Sequence, residues 1–438
     1  CPGPFRLLRP AGAAKSETLC GTSERGTPLS APNAAWAAVA HRLRRTASMT
    51  ASVSPWSCPF CPLLCDGFAL ARAPVGGALS LPDSRCSRAA AALATFNGPL
   101  AAPHIRGIAC DLEAAIHEAA RLLAASRQPL FGGLGTDVAG ARALYPLACA
   151  TGAITDAGQG AALTEGLRAL QDRGGFTTTL AEVRTRADLL VCFGGLPTER
   201  HPEFFNRVGI AADDARVVVI GDSGDAFEVA QRLAALLEGR ATAGANPALL
   251  ALAERLRAAS YSVLVYEPAR LPRHAALIIE TLQRVIATLN RTTRAAAFPL
   301  GGGDGAATVN QTFAWLSGLP LRSQLGPFGL EHEPQRFDAQ VLLNDGAVDL
   351  LLWVSCFLPQ AVPASAGPRI VIGHPQLSTV SADVFIPVLT PGIGADGHLF
   401  RTDGVVLMPL HAARSEALPA AADVFKRITA ALPMKASS

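Results

Sequence analysis

Pro129-Leu130-Phe131-Gly132-Gly133-Leu134-Gly135-Thr136 runs from a short apolar segment into glycines, and residues 137–151 follow as a helix. Strand, glycine-rich turn and helix make the repeating unit of a parallel sheet, and such sheets bind ligands at the turns after their strands. The spacing is not G-x-G-x-x-G, and no acidic residue stands where a dinucleotide's ribose needs one, so these read as plain turn glycines. The same rhythm recurs downstream. Asp188-Leu189-Leu190-Val191-Cys192-Phe193-Gly194-Gly195 and Arg216-Val217-Val218-Val219-Ile220-Gly221-Asp222 read as strands. Residues 262–266, 295–300, 350–355, 369–373 and 384–388 read likewise, with helices over 226–238 and 275–288. Their Val/Leu/Ile runs lack alternation, which marks strands covered on both faces. The expected fold class is α/β, with doubly wound parallel sheets in two or three lobes. Upstream, residues 112–126 have apolar side chains at helical spacing, with Asp111 placed to cap them.

At 438 residues the chain exceeds one ordinary core. The expected parts are an extension over 1–48, a cysteine-loop subdomain over 49–110, an α/β domain over 111–300, and 301–438 continuing and closing the sheets. Half of the residues are hydrophobic and 17% charged, and the net charge of +3 is spread without a basic block. That excludes nucleic acid as a partner. No apolar run reaches the length of a membrane span, so no membrane partner is expected. Residues 1–48 precede the first methionine, Met49, and mix Arg, Pro, Ser, Ala and Gly with little periodicity. They read as a disordered or upstream extension.

Cys58-Pro59-Phe60-Cys61-Pro62-Leu63-Leu64-Cys65 crowds three thiols into one loop, and Cys86 adds a fourth. Four thiolates suit an iron–sulfur cluster or a tetrahedral zinc. The spacing is neither that of small bacterial ferredoxins nor the paired C-x2-C of a zinc ribbon. Clustering favours a metal site over four unrelated small hydrophobic residues. The other cysteines are scattered, a pattern of a reducing compartment, and the expected location is cytoplasmic.

Taken together, the cysteine loop and residues 129–156, 180–202 and 373–410 resemble the B subunit of formylmethanofuran dehydrogenases, within the molybdopterin oxidoreductases. Gly194-Gly195-Leu196-Pro197-Thr198-Glu199-Arg200-His201-Pro202 is similar to one family segment. Ala395-Asp396-Gly397-His398-Leu399-Phe400-Arg401-Thr402-Asp403-Gly404 is similar to the family's closing motif. The resemblance implies a [4Fe–4S] cluster on Cys58, Cys61, Cys65 and Cys86. It also implies that Thr136, Gly194, Gly195 and His201 would lie near a pterin, if one were bound. Without one they build turns, or in the case of His201 cap a loop.

The departures are chemical. The family carries a Cys that ligates tungsten or molybdenum and a His that assists formate and CO2 chemistry, after the turn matched by Gly152-Ala153-Ile154-Thr155-Asp156. Those two positions fall on Ala162 and Leu163, which can neither bind a metal nor move a proton. The family's catalytic Arg falls near Gly301, ahead of Asn310-Gln311. A bound molybdopterin or tungstopterin is therefore not expected, and whether the chain is itself an enzyme stays open. The pattern resembles the B subunit of bacterial formyltransferase/hydrolase complexes of tetrahydromethanopterin-dependent one-carbon metabolism. There it implies a supporting, non-catalytic role beside the other members of the complex: the amidohydrolase-like A, C and the formyltransferase D. The closing motif comes near the end of the sequence, so the β-barrel that completes a pterin site is expected on a partner chain. The alternative is a molybdopterin- or tungstopterin-dependent oxidoreductase subunit that lacks a protein ligand to its metal.

Overall fold

The computed structural model describes residues 52–72, 77–240, 246–272 and 274–433. The extension expected over 1–48 lies outside them. Three short antiparallel strands come first: β1 (Ser52–Trp56), β2 (Phe68–Arg72) and β3 (Leu79–Ser80), the cysteine loop joining β1 to β2. Helix α1 (Ser87–Ala94) starts directly after Cys86. The small pair β4 (His104–Ile105) and β5 (Ile108–Ala109) precedes α2 (Leu112–Ala125), whose first turn Asp111 caps by accepting from Ala114 N at 2.7 Å.

The opening βαβ unit forms as its sequence requires. Strand β6 (Pro129–Gly135) is buried along its whole length, and α3 (Val138–Thr151) begins at Asp137, whose carboxylate accepts from Gly140 N at 2.9 Å. Gly152, in the left-handed conformation, ends α3, and β7 (Ile154–Thr155) follows, parallel to β6. Gly133 has φ +73, and a Cβ there would stand 2.6 Å from the Val354 carbonyl and 2.8 Å from the Trp353 ring. These glycines lie within β6 itself and not in a turn after it, where they admit a neighbouring strand and its Trp.

Next come α4 (Gly160–Arg173), α5 (Leu180–Arg186), β8 (Leu189–Phe193), α6 (Phe204–Val208), β9 (Val217–Ile220), α7 (Ala226–Leu237) and α8 (Pro247–Ala258). Strand β10 (Tyr261–Tyr266), helix α9 (Ala275–Leu289) and β11 (Arg294–Pro299) complete a four-stranded parallel sheet in the order β11-β10-β8-β9. Successive strand residues point to opposite faces. Leu189, Val191 and Phe193 pack with α7, α8 and α9, while Leu190 and Cys192 pack with α5 and α6. Edge strand β9 is only half-buried, unlike its three partners.

After α10 (Ala306–Ser317) the chain returns to the first sheet. It adds hairpin β12 (Ser323–Gly326) and β13 (Gly329–His332), then α11 (Ala339–Asn344), β14 (Leu350–Ser355), β15 (Arg369–Gly373) and β16 (Val384–Pro387). The order is β13-β12-β7-β6-β14-β15-β16-β4-β5: five parallel strands with antiparallel pairs at both edges. Hairpin β17 (Gly397–Phe400) and β18 (Leu407–Leu410) and helix α12 (Ala421–Ala431) close the described chain. Sheet membership thus crosses residue 300. Strands β6 and β7 belong with β14–β16 and not with β8–β11, because the four-stranded sheet is an insertion in the chain of the larger one. Antiparallel pairs at its edges make the larger sheet mixed, around the parallel strands expected.

Candidate functional site

Helix α4 supplies one wall of a cleft. Its first turn presents Ala162 and Leu163, and Leu167 and Leu170 continue the same face one and two turns on. The opposite wall comes from the C-terminal ends of two strands: Tyr266 at the end of β10 with Glu267, Pro268 and Ala269 after it, and residues 300–304, 306 and 307 after β11. Pro62, Arg88, Arg200, His201 and Thr402 close the rim. The cleft holds about 1110 Å³ of empty space, part of it open to solvent. Ligand sites of parallel sheets form at such strand ends. Ala162, Leu163, Gly301 and His201, scattered in sequence, are therefore brought to one place.

Several charged groups face this space with incomplete partners. Glu267 is 5% exposed; its Oε2 lies 3.4 Å from His201 Nδ1 and 3.6 Å from Arg200 Nε, and its Oε1 lies 3.9 Å from Arg270 Nη1. Neither carboxylate oxygen, nor His201 Nδ1, has a hydrogen-bond partner among the described residues. Asp304 sits at φ +55, and its Oδ2 accepts from Gln360 Nε2 at 2.6 Å. Its Oδ1 is 3.7 Å from Arg88 Nη2 and accepts no hydrogen bond. Burial raises the Asp304 carboxyl above its usual range, with Arg88 and Gln360 opposing. Neither Glu267 nor Asp304 stands out in the sequence. A carboxylate directly after a buried strand was the available signal for Glu267, and the glycines around Asp304 for the loop after β11.

The closing motif staples this region. Thr402 N donates to the Pro62 carbonyl at 2.8 Å, and Thr402 Oγ1 donates to the Pro299 carbonyl at 2.8 Å. Asp403 Oδ2 pairs with Arg401 at 2.5 Å and accepts from Leu180 N at 3.2 Å. One short stretch thus ties the cysteine loop to β11 and α5.

No protein-family model matches the sequence. The B subunit of the formyltransferase/hydrolase complex Fhc from Methylorubrum extorquens is 32% identical over 355 residues, covering 74% of this chain and 96% of that one. The chain belongs to the B-subunit family of formyltransferase/hydrolase complexes. A solved structure of the M. extorquens complex FhcABCD, with methylofuran, contains a chain with a TM-score of 0.67 and 31% identity. That match covers 75% of this chain and 98% of its counterpart. The B subunit of a tungsten-containing formylmethanofuran dehydrogenase from Methanocaldococcus jannaschii is 25% identical, covering 67% and 77% of the two chains.

At the positions where the resemblance implies a metal ligand, an imidazole and a cation, the residues present do not fit a metal. Ala162 and Leu163 bring only hydrocarbon to the cleft, and Gly301 brings no cation. The cysteine loop is different in its donor chemistry. Cys58, Cys61, Cys65 and Cys86 are all buried and all free. Cys58 N donates to the Cys65 carbonyl at 2.9 Å and closes the loop, while Leu64 takes φ +44 to turn it. Arg88 Nε binds the Phe60 carbonyl at 2.7 Å. Burial raises the Cys61 thiol to about 11 and pushes Cys58 and Cys65 up as well, with neighbouring thiols adding to the rise. Among the described residues no three His, Cys, Asp or Glu side chains are arranged to hold a metal ion. Cys61 and Cys65 pack in one core and Cys58 and Cys86 in another.

The remaining expected site residues scatter. Thr136 is fully buried, with Gly140 and Gly305 packed directly against it, and it does not line the cleft. Gly194 and Gly195 form the turn after β8, against Leu271 and Arg270. His201 alone of these four lines the cleft. His374 caps its own turn: its Nδ1 accepts from Gln376 N at 3.1 Å, and its Nε2 lies 3.0 Å from Thr95 Oγ1. His398 points to solvent from β17.

Proposed function

We propose that the chain is the B subunit of a formyltransferase/hydrolase complex in tetrahydromethanopterin-dependent one-carbon metabolism, supporting the assembly without redox catalysis of its own. The observation that carries this reading is the lining of the cleft: Ala162, Leu163 and Gly301 converge where the resemblance to the dehydrogenases implies Cys, His and Arg. Formate chemistry needs a ligand for the metal, a proton carrier and a cation for the carboxylate, and Ala162, Leu163 and Gly301 supply none of the three at those positions. The partners are the amidohydrolase-like and formyltransferase members of the complex and one further chain. A β-barrel-bearing partner could cover the cleft from outside.

A [4Fe–4S] cluster on Cys58, Cys61, Cys65 and Cys86 belongs to this reading as a brace. Cys61 and Cys65 pack into the core of the four-stranded sheet, whereas Cys58 and Cys86 pack with Trp56, Phe60 and Phe96. A group bonded to all four would join two cores, and metal binding is folding free energy. No helix among the described residues is long and apolar enough to cross a membrane. A cytoplasmic location fits cysteines that are free throughout the described residues.

The test is elemental analysis of the chain co-purified with its partners, together with a viologen-linked assay of formate oxidation. Stoichiometric tungsten or molybdenum, or formate oxidation by this chain, overturns the proposal. Iron alone, or no metal, with intact hydrolase and formyltransferase activity in the complex, supports it.

A further inference from the structure

We propose that the open edge of β9 takes up an extended segment of a partner subunit as a fifth strand of the smaller sheet. The inference deepens the supporting role above and rests on that reading for the existence of a partner. Backbone groups of successive strand residues point to opposite sides. Leu190 N donates to the Arg216 carbonyl at 2.8 Å and Gly194 N to the Ile220 carbonyl at 2.9 Å, so Arg216, Val218 and Ile220 face β8. Val217 and Val219 turn their groups outward. The Val219 N–H and both carbonyls have no hydrogen-bond partner among the described residues. Sheet edges are normally blunted by Lys, Pro, a bulge or a covering segment. The opposite edge of this sheet is covered: Ala297 of β11 donates its N–H to the Phe176 carbonyl at 2.7 Å and accepts from Thr178 N at 3.0 Å. Val217-Val218-Val219-Ile220 carries no Lys, no Pro and no bulge, and is half-buried along its length. Addition of a strand to such an edge is a common mode of recognition.

The chemistry of the incoming segment follows from what it would meet. On one face Val218, Ile220 and Phe227 are half-buried at the margin of one core; on the other, Val217, Val219 and Leu196 are half-buried at the margin of a second. Both apolar layers are unfinished at β9, which calls for a strand apolar on both faces. Past the end of β9 the surface is acidic. Asp222 and Asp225 are exposed, and the neighbouring ion pairs, Arg216–Asp214 and Arg232–Glu228, include neither. The segment therefore carries a Lys or Arg at the end that meets Asp222. A second copy of this chain fits less well. Paired antiparallel, it would set Arg216 and Arg255 near that end, and these are already held by Asp214 and by the Ala215 carbonyl.

The experiment is residue-resolved hydrogen exchange on the full chain, alone and in the complex with its co-purified partner subunits. The Val219 amide should slow by roughly a hundredfold in the complex, and by more than the amides of Val218 and Ile220, which β8 already holds. Val219→Pro removes the outward N–H and leaves the bonds to β8 in place, and should weaken assembly by roughly tenfold or more. Asp222→Lys should weaken assembly several-fold and reduce its salt dependence. It keeps the test meaningful if thermal melting shows that the proline variant does not fold. A Val219 amide that exchanges equally in both states, or assembly unchanged in either folded variant, overturns the inference and leaves the supporting role standing. Self-association of the isolated chain that Val219→Pro abolishes does the same. A chain that joins neither the hydrolase nor the formyltransferase subunit overturns both.

Discussion

His374 shows how one buried side chain ties stability to pH. Its Nδ1 is occupied as an acceptor from Gln376 N, and Thr95 Oγ1 already donates to the Ala92 carbonyl, so Nε2 carries the proton toward Thr95. Burial pushes the imidazole down from 6.5 to about 4. Between these values the unfolded chain holds more protons than the folded one. Stability is therefore complete above pH 6.5 and is lost as pH falls toward 4, by up to about 3 kcal/mol. Replacing His374 by Gln should flatten the melting temperature over that pH window, whereas an unchanged slope would assign it to other groups. At the cysteine loop the chemistry is thiolate chemistry. Cys61→Ser should lower iron content and solubility together if a cluster braces the loop. A variant that keeps solubility, assembly and iron shows that no cluster does so.

Among the elements, the stretch after β17 has an influence out of proportion to its length. Asp403 has a side chain 0% exposed, and it neutralises Arg401, whose side chain is 11% exposed. Removing one partner of a buried ion pair leaves an uncompensated charge and costs about 3–5 kcal/mol. Asp403→Ala should lower the melting temperature and expose the cysteine loop to limited proteolysis, because Thr402 next to it holds the Pro62 carbonyl. Helix α4 makes the complementary point. Its apolar face (Leu163, Leu167 and Leu170, at i, i+4 and i+7) lines the cleft, with Leu163 also packed against the core of the larger sheet. A helix placed in this way looks ordinary in its periodicity and acquires meaning only from what stands opposite.

Over the whole molecule, two sheets and a thiol-rich loop meet around one cleft, and the scaffold keeps this geometry while the reactive groups are hydrocarbon. Restoring two positions is not enough to restore chemistry. The double variant Ala162→Cys/Leu163→His should remain unable to oxidise formate, since Gly301 offers no cation to the carboxylate. Viologen reduction by that variant would show that the scaffold still binds the rest of a redox centre.

The strands and helices were legible because burial on both faces writes itself as uninterrupted Val/Leu/Ile, and because Asp111 and Asp137 cap as their positions require. The substitutions at Ala162 and Leu163 were legible too, since a missing heteroatom can be read directly from the residue type. Sheet membership was not legible: β6 lies against β14 through pairing across more than 200 residues, and no local pattern encodes a partner so distant. Nor was the pairing of Glu267 with His201 and Arg200, or the burial of Thr136 under Gly140 and Gly305. Local order follows from side-chain periodicity and backbone preference, which neighbours in the chain decide. Which charged groups are left facing an open cleft is decided only when strands far apart in sequence come side by side.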